Sequence, residues 1–242
     1  MKITKIKKFA IWILLLASVQ FVTLTLIAMI IYPGGTLHSP DLTTYSFSRN
    51  YFSDLGRTQN FLNVDNNISS TLFTLALSIV GTAMGIFFVT LPTLFKNKRA
   101  IGLAIGAAIC GLFSGYCFIE VAARPWDIDF LGHVKYTRAG FLSFFVCVVL
   151  YAIAVFNEKF YANKYGIALT ICSVIMGFQI ILMFFGPKPF ESEWALFLQA
   201  ISQKIVVYSE ILTLGYITYG LIKDERYKTV KRNVNINVNV NA

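Results

Sequence analysis

The sequence is short of charge. Asp, Glu, Lys and Arg make up 14% of its 242 residues, against about 25% in an average soluble domain. A disordered chain is rich in charge and poor in apolar residues, so that class is excluded. Histidine occurs twice, at His38 and His133, too few for a zinc site unless carboxylates complete it. The four Cys, at 110, 117, 147 and 172, all fall inside apolar runs. They read as small core residues, which speaks against a secreted disulfide scaffold and against a thiolate metal set. No metal or cofactor is expected. The chain has no Walker loop, no G-x-G-x-x-G and no H-E-x-x-H, so nucleotide and zincin chemistry have no motif support.

What the sequence does have is hydrophobic length. Apolar residues make up 56% of the chain, and a membrane span needs roughly 20 of them in succession. Six runs qualify: 9–32, 70–95, 101–122, 133–156, 165–185 and 194–222. Short polar or turn-forming connectors separate most of them, such as Pro33-Gly34-Gly35 and Arg124-Pro125. The expected fold is all-α, a polytopic bundle of six transmembrane helices. It has a basic N-terminal piece at 1–8, one long extracytoplasmic loop at 33–69 and a tail at 223–242, disordered from 233. The first run follows Lys2, Lys5, Lys7 and Lys8, as a signal peptide would. It is longer than a 7–15-residue signal core, so it reads as a retained helix.

The net charge of +9 has a membrane explanation. With the N-terminus inside, the inner pieces hold 14 of the 21 Lys and Arg and three of the 12 acids. The outer side has both signs in near balance. The positive-inside rule then puts both termini in the cytoplasm. The excess faces anionic inner-leaflet lipid, and nucleic acid is not an expected partner. A plasma membrane, the inner membrane in a Gram-negative cell, is the expected location. Membrane lipids are the expected partners, and a homo-oligomer is compatible with the sequence. Trp126 and Trp194 fall at the outer boundary and Trp12 near the inner one, as interfacial anchors do.

Polar residues gather on the outer side. The long loop carries Asp54 and Arg57, and the loop after the third run carries Arg124, Asp127 and His133. Glu120 closes the third helix, and Lys135 and Arg138 open the fourth. The plain alternative is a solvated face of weak surface ion pairs. Glu120 and Arg124, four apart, share a helix face and clamp the helix end. On the sixth run, Gln199, Gln203, Glu210 and Thr213 lie within roughly 80° of one another at helical period. Glu210 is thus an acid inside a span, which defaults to the bundle interior or water. Lys204 lies off that stripe and can snorkel toward the outer interface. Asn66-Asn67-Ile68-Ser69 reads as the cap that starts the second helix.

A resemblance follows from particular residues. Tyr32-Pro33-Gly34-Gly35-Thr36, then Asn50-Tyr51-Phe52-Ser53-Asp54-Leu55-Gly56-Arg57-Thr58, then Asn67-Ile68-Ser69-Ser70, resemble the uncharacterised membrane family called domain of unknown function 998. The Pro125–Asp127 turn before His133 resembles it too. Family members often have an apolar residue before that Pro, where this chain has Arg124. The resemblance spans about residues 9–222 and implies a six-helix integral membrane protein with no established activity. A fainter similarity, to alkaline-ceramidase-like hydrolases, fails on the three zinc-binding His those enzymes use.

Three functions fit these residues. The first is binding or sensing of a lipid headgroup or small polar ligand in an outward-facing charged pocket. That pocket would draw on Asp54, Arg57, Glu120, Arg124, Asp127, His133, Arg138, Gln203 and Glu210, since Arg pairs well with phosphate and carboxylate oxygens. The second is a membrane-embedded hydrolase or transferase using Asp54 and His133, with Ser53 as nucleophile. The third is a proton-coupled carrier with Glu210 as the coupling acid. A scaffold without small-molecule chemistry is the remaining alternative.

Overall fold

The computed structural model describes residues 5–159 and 161–240, those from 224 onward as backbone only. It contains six α-helices: α1 (Lys5–Ile31), α2 (Asn67–Thr90), α3 (Lys98–Ala123), α4 (Phe130–Phe156), α5 (Asn163–Phe185) and α6 (Glu193–Val240). Short 3-10 turns lie at Phe52–Gly56 and Leu91–Leu94. Among the described residues there is no strand, only an isolated bridge between Gln59 and Asp65. All six helices are long and apolar enough to cross a membrane; the crossing part of α6 ends at Lys223. The chain is an all-α, multi-pass membrane protein, and the six apolar runs correspond to the helices one for one. The backbone of α6 continues helical past residue 233, where the sequence predicts disorder. The side chains there lie outside the description, and nothing described explains the extension.

Each helix packs on the next in sequence, and α6 returns to α1. The spans therefore form a closed ring. Its outward surface is apolar, with Ile30, Leu131, Val174, Phe185 and Leu212 all exposed, as a lipid solvent allows. Lipid tails are as apolar as Leu, so close packing has to hold such helices together. One close backbone approach is between α2 and α3. A Cβ at Gly81 would lie 2.7 Å from the Gly115 carbonyl oxygen, and one at Gly115 would lie 2.7 Å from that of Gly81. On α3, Ala100, Ala104, Ala107, Gly111 and Gly115 line up at helical spacing and are all buried. Ser114 donates across to the Gly140 carbonyl of α4 at 3.0 Å.

The long loop between α1 and α2 folds over the outer end of the ring. Gly34 and Gly35 both have φ +88°, a conformation that only glycine adopts cheaply. A side chain at Gly34 would run into the backbone of Leu42 and Thr43. This hairpin exit from α1 turns the chain back, and the Phe52–Gly56 turn then packs on α1, α2 and α6. Leu55 is fully buried there, and Phe52 packs against Phe21 and Tyr208.

Candidate functional site

Asp54 sits at the centre of the outer loop and is 2% exposed. Its Oδ2 accepts from the Asn50 side-chain amide at 2.8 Å and from the Tyr51 backbone N–H at 3.0 Å. Its Oδ1 accepts from the Trp126 indole N–H at 3.0 Å. Burial raises the Asp54 pKa above the ordinary carboxylate value. The Asn50 and Tyr51 hydrogen bonds oppose that rise, as do the charges of Arg57 and Lys204. Burial, and then the charge of Asp54, likewise push up the phenols of Tyr45 and Tyr51.

The neighbouring charges are held by the loop and helix ends, although Asp127 Oδ1 is buried with no partner among the described residues. The Arg57 guanidinium lies between the rings of Phe61 and Trp126, 4.2 Å from each centroid, and Nε donates to the Gln59 carbonyl at 2.8 Å. Asp127 Oδ2 accepts from the Thr58 hydroxyl at 2.7 Å and from its backbone N–H at 2.9 Å. Arg124 bridges Glu120 at 3.0 Å and Asp129 at 2.9 Å. Asp129 also caps α4, accepting from Gly132 N–H at 2.9 Å; that bond and then the Arg124 contact lower its pKa. Arg57, Glu120, Arg124 and Asp127 are thus tied into the loop framework, and none of them lines either cavity described next.

Two cavities lie beneath this framework. The outer one, about 610 Å³, lies between α4, α5, α6 and the loop. Ser53, Asp54, His133, Lys135, Arg138, Gln179, Lys188, Gln199 and Gln203 line it, with apolar walls that include Phe141, Met183, Phe184 and Leu196. Leu131, Phe184 and Phe190 both line it and are exposed at the surface, so it opens there. The inner one, about 90 Å³, lies on the axis of the ring, with Glu210 in its wall. Ser53, His133, Thr137, Phe141 and Gln203 line both. Of the nine expected ligand residues, Asp54, His133, Arg138 and Gln203 meet at the outer cavity. His133 and Gln203 meet Glu210 at the inner one.

The nucleophile, base and orienter expected of an enzyme are not linked. Among the described residues no hydrogen bond joins Asp54 to His133. Instead His133 Nδ1 bonds the Arg124 carbonyl at 2.7 Å. A carbonyl only accepts, so Nδ1 carries a proton, and in the neutral ring Nε2 is left as an acceptor. Among the described residues, no three His, Cys, Asp or Glu side chains come together as a metal ion would need.

Three residues behave differently from their sequence expectation. Lys204 does not snorkel; it is 1% exposed. Its ammonium donates to the Asn50 carbonyl and lies 5.2–5.5 Å from the ring centres of Tyr45, Phe47 and Phe52. The loop folded over α6 supplies these partners, which the helical pattern of α6 alone does not reveal. Asn66 makes no side-chain cap on α2. Its amide donates to the Leu55 and Arg57 carbonyls, at 3.1 and 2.8 Å, and so fastens the loop instead. Trp126 is more than an interfacial anchor, since it bonds Asp54 and stacks on Arg57. Thr137 and Gln179, which the sequence does not single out, also line the cavities. Thr137 had a signal, since it lies one helical turn below His133.

Comparison with protein-family models, with curated proteins and with solved structures finds no match to this chain.

Proposed function

We propose that this protein binds an anionic amphiphile, a lipid with a phosphate or carboxylate headgroup, in the outer cavity. The observation that carries this reading is an imbalance of free charge. Lys135, Arg138 and Lys188 line the cavity, and none has an ion-pair partner among the described residues. The one acid in the wall, Asp54, already accepts three hydrogen bonds. Cationic side chains beside apolar walls suit a charged head joined to an acyl chain, and Arg pairs with such heads bidentately. In this reading the cavity faces the outer side of a plasma membrane and both termini are cytoplasmic. The motif resemblance to the domain of unknown function 998 family belongs to the same proposal and rests on sequence alone.

The test is native mass spectrometry of protein purified in mild detergent. The expected result is a retained lipid adduct, weakened about tenfold or more in Arg138→Gln. That corresponds to losing one charged hydrogen bond of about 1.5–3 kcal/mol. An empty wild-type spectrum, or one unchanged by Arg138→Gln and Lys135→Gln, sinks the reading.

A further inference from the structure

The inner cavity holds a group that the outer cavity does not use. Glu210 is 7% exposed, and its Oε1 has no hydrogen-bond partner among the described residues. It stands in the wall of the axial cavity, within a helix that crosses the membrane. A buried carboxyl oxygen needs a donor. No side chain or backbone N–H described supplies one to Oε1, so Oε1 either carries a proton, which turns it from acceptor to donor, or accepts from a water.

The cavity offers a supply of either. At about 30 Å³ per water, as in the liquid, 90 Å³ has room for about three. The polar side chains shared with the outer cavity include a hydroxyl and an imidazole, which can hand protons on, and the Gln203 amide, which can hold a water between them. On α4, His133 and Thr137 are one turn apart and both line the two cavities. Thr137 Oγ1 is itself buried with no partner among the described residues, and Nε2 of a neutral His133 is an acceptor. On α6, Gln203 lies seven residues before Glu210, about 10 Å along the helix. Its Oε1 accepts from Phe52 N–H at 3.0 Å, which leaves its amide N–H groups for the cavity.

We infer that the inner cavity is a proton-binding site, with Glu210 as acceptor and the His133–Thr137–Gln203 constriction as its route to the outer cavity. A proton arriving from outer water, relayed by hydroxyl, imidazole or water, bonds to a Glu210 carboxylate oxygen. The reverse passage returns it. The other titratable groups near Glu210 are His133 on α4 and Cys172 on α5, which lies close enough to feel its charge. The cavity residues from α1, α2 and α3 carry no ionisable group, and Lys204, on Glu210's own helix, is turned up to the loop. Toward the inner side, Met84, Phe144 and Leu214 line the cavity and belong to the packed core. The site stands whatever occupies the outer cavity.

Infrared spectroscopy of the full chain in lipid nanodiscs tests it. A protonated carboxyl gives a C=O stretch above the amide region. A protonated Asp54 would absorb in the same region, so assignment rests on Glu210→Gln, which removes the Glu210 band, and on Glu210→Asp, which shifts it. The expected wild-type result is a Glu210 band that fades as pH rises and moves at once on exchange into D2O. Thr137→Leu and Gln203→Leu, which fill the constriction, should slow that exchange at least tenfold. Three results overturn the inference. They are no Glu210 band at any pH, a band that D2O leaves unmoved, or exchange just as fast in both filled variants.

Discussion

The residues that carry charge here differ less in type than in what already bonds them. Asp54 and Arg138 line the same cavity, yet Asp54 accepts three hydrogen bonds and Arg138, among the described residues, has only the face of Phe184, 5.3 Å away. The state of Asp54 has a consequence for pH. Its folded pKa lies above the unfolded one because burial disfavours the charge. Between the two values the folded protein keeps a proton that the unfolded chain has lost. Its contribution to stability is therefore full below the ordinary carboxylate range and is lost as pH rises through the folded value. The melting temperature of wild type relative to Asp54→Asn, followed in detergent, should be highest in acid and fall across that window. A rise with pH would mean that Arg57 and Lys204 outweigh burial. Little of this was legible in sequence. Asp54 stood out as a polar residue in a specific motif, but its donors come from Asn50, Tyr51 and Trp126, the last 72 residues away in the chain. Lys204 was misread for the same reason.

At the scale of the helix the sequence was far easier to read, because a span has to be apolar over its whole length whatever it packs against. The expected start and end of every crossing segment fall within a few residues of the observed ones. Helix contacts were less legible, since small residues act by what they leave out. Gly81 and Gly115 attracted no notice as letters, yet each backbone sits where the other's Cβ would be. Gly115→Leu should force α2 and α3 apart at a cost of about 1–3 kcal/mol, the usual range for overpacking. Thermal unfolding in detergent would measure it. Gly102, whose Cβ position meets nothing within 4 Å, is the matched control, and Gly102→Leu should leave the unfolding temperature nearly unchanged. Equal losses in the two variants would remove the α2–α3 contact from the account of stability.

For the whole molecule, the distribution of Lys and Arg predicts that residues near both ends face the cytoplasm. A single Cys added after residue 223 to a Cys-free chain should resist a membrane-impermeant thiol reagent in intact cells and react after permeabilisation. A Cys placed at Asp41, in the exposed part of the outer loop, should react in both. Reversed labelling would turn the protein over and put the cavity mouth on the other side. The ring order also bears on how the molecule is made. Helices inserted one after another can each dock on the one before, so five of the six contacts between neighbouring helices form as the chain emerges. The sixth, between α6 and α1, waits for the last span. That span brings Gln203, Lys204 and Glu210 together. Until it arrives, the outer loop lacks its buried ammonium anchor, and both cavities stand open along the side that α6 will close. A nascent chain stopped short of α6 would leave His133, Thr137 and Gln179, on the helices already made, uncovered along that open side, and polar groups facing lipid are what an unfinished bundle cannot tolerate for long.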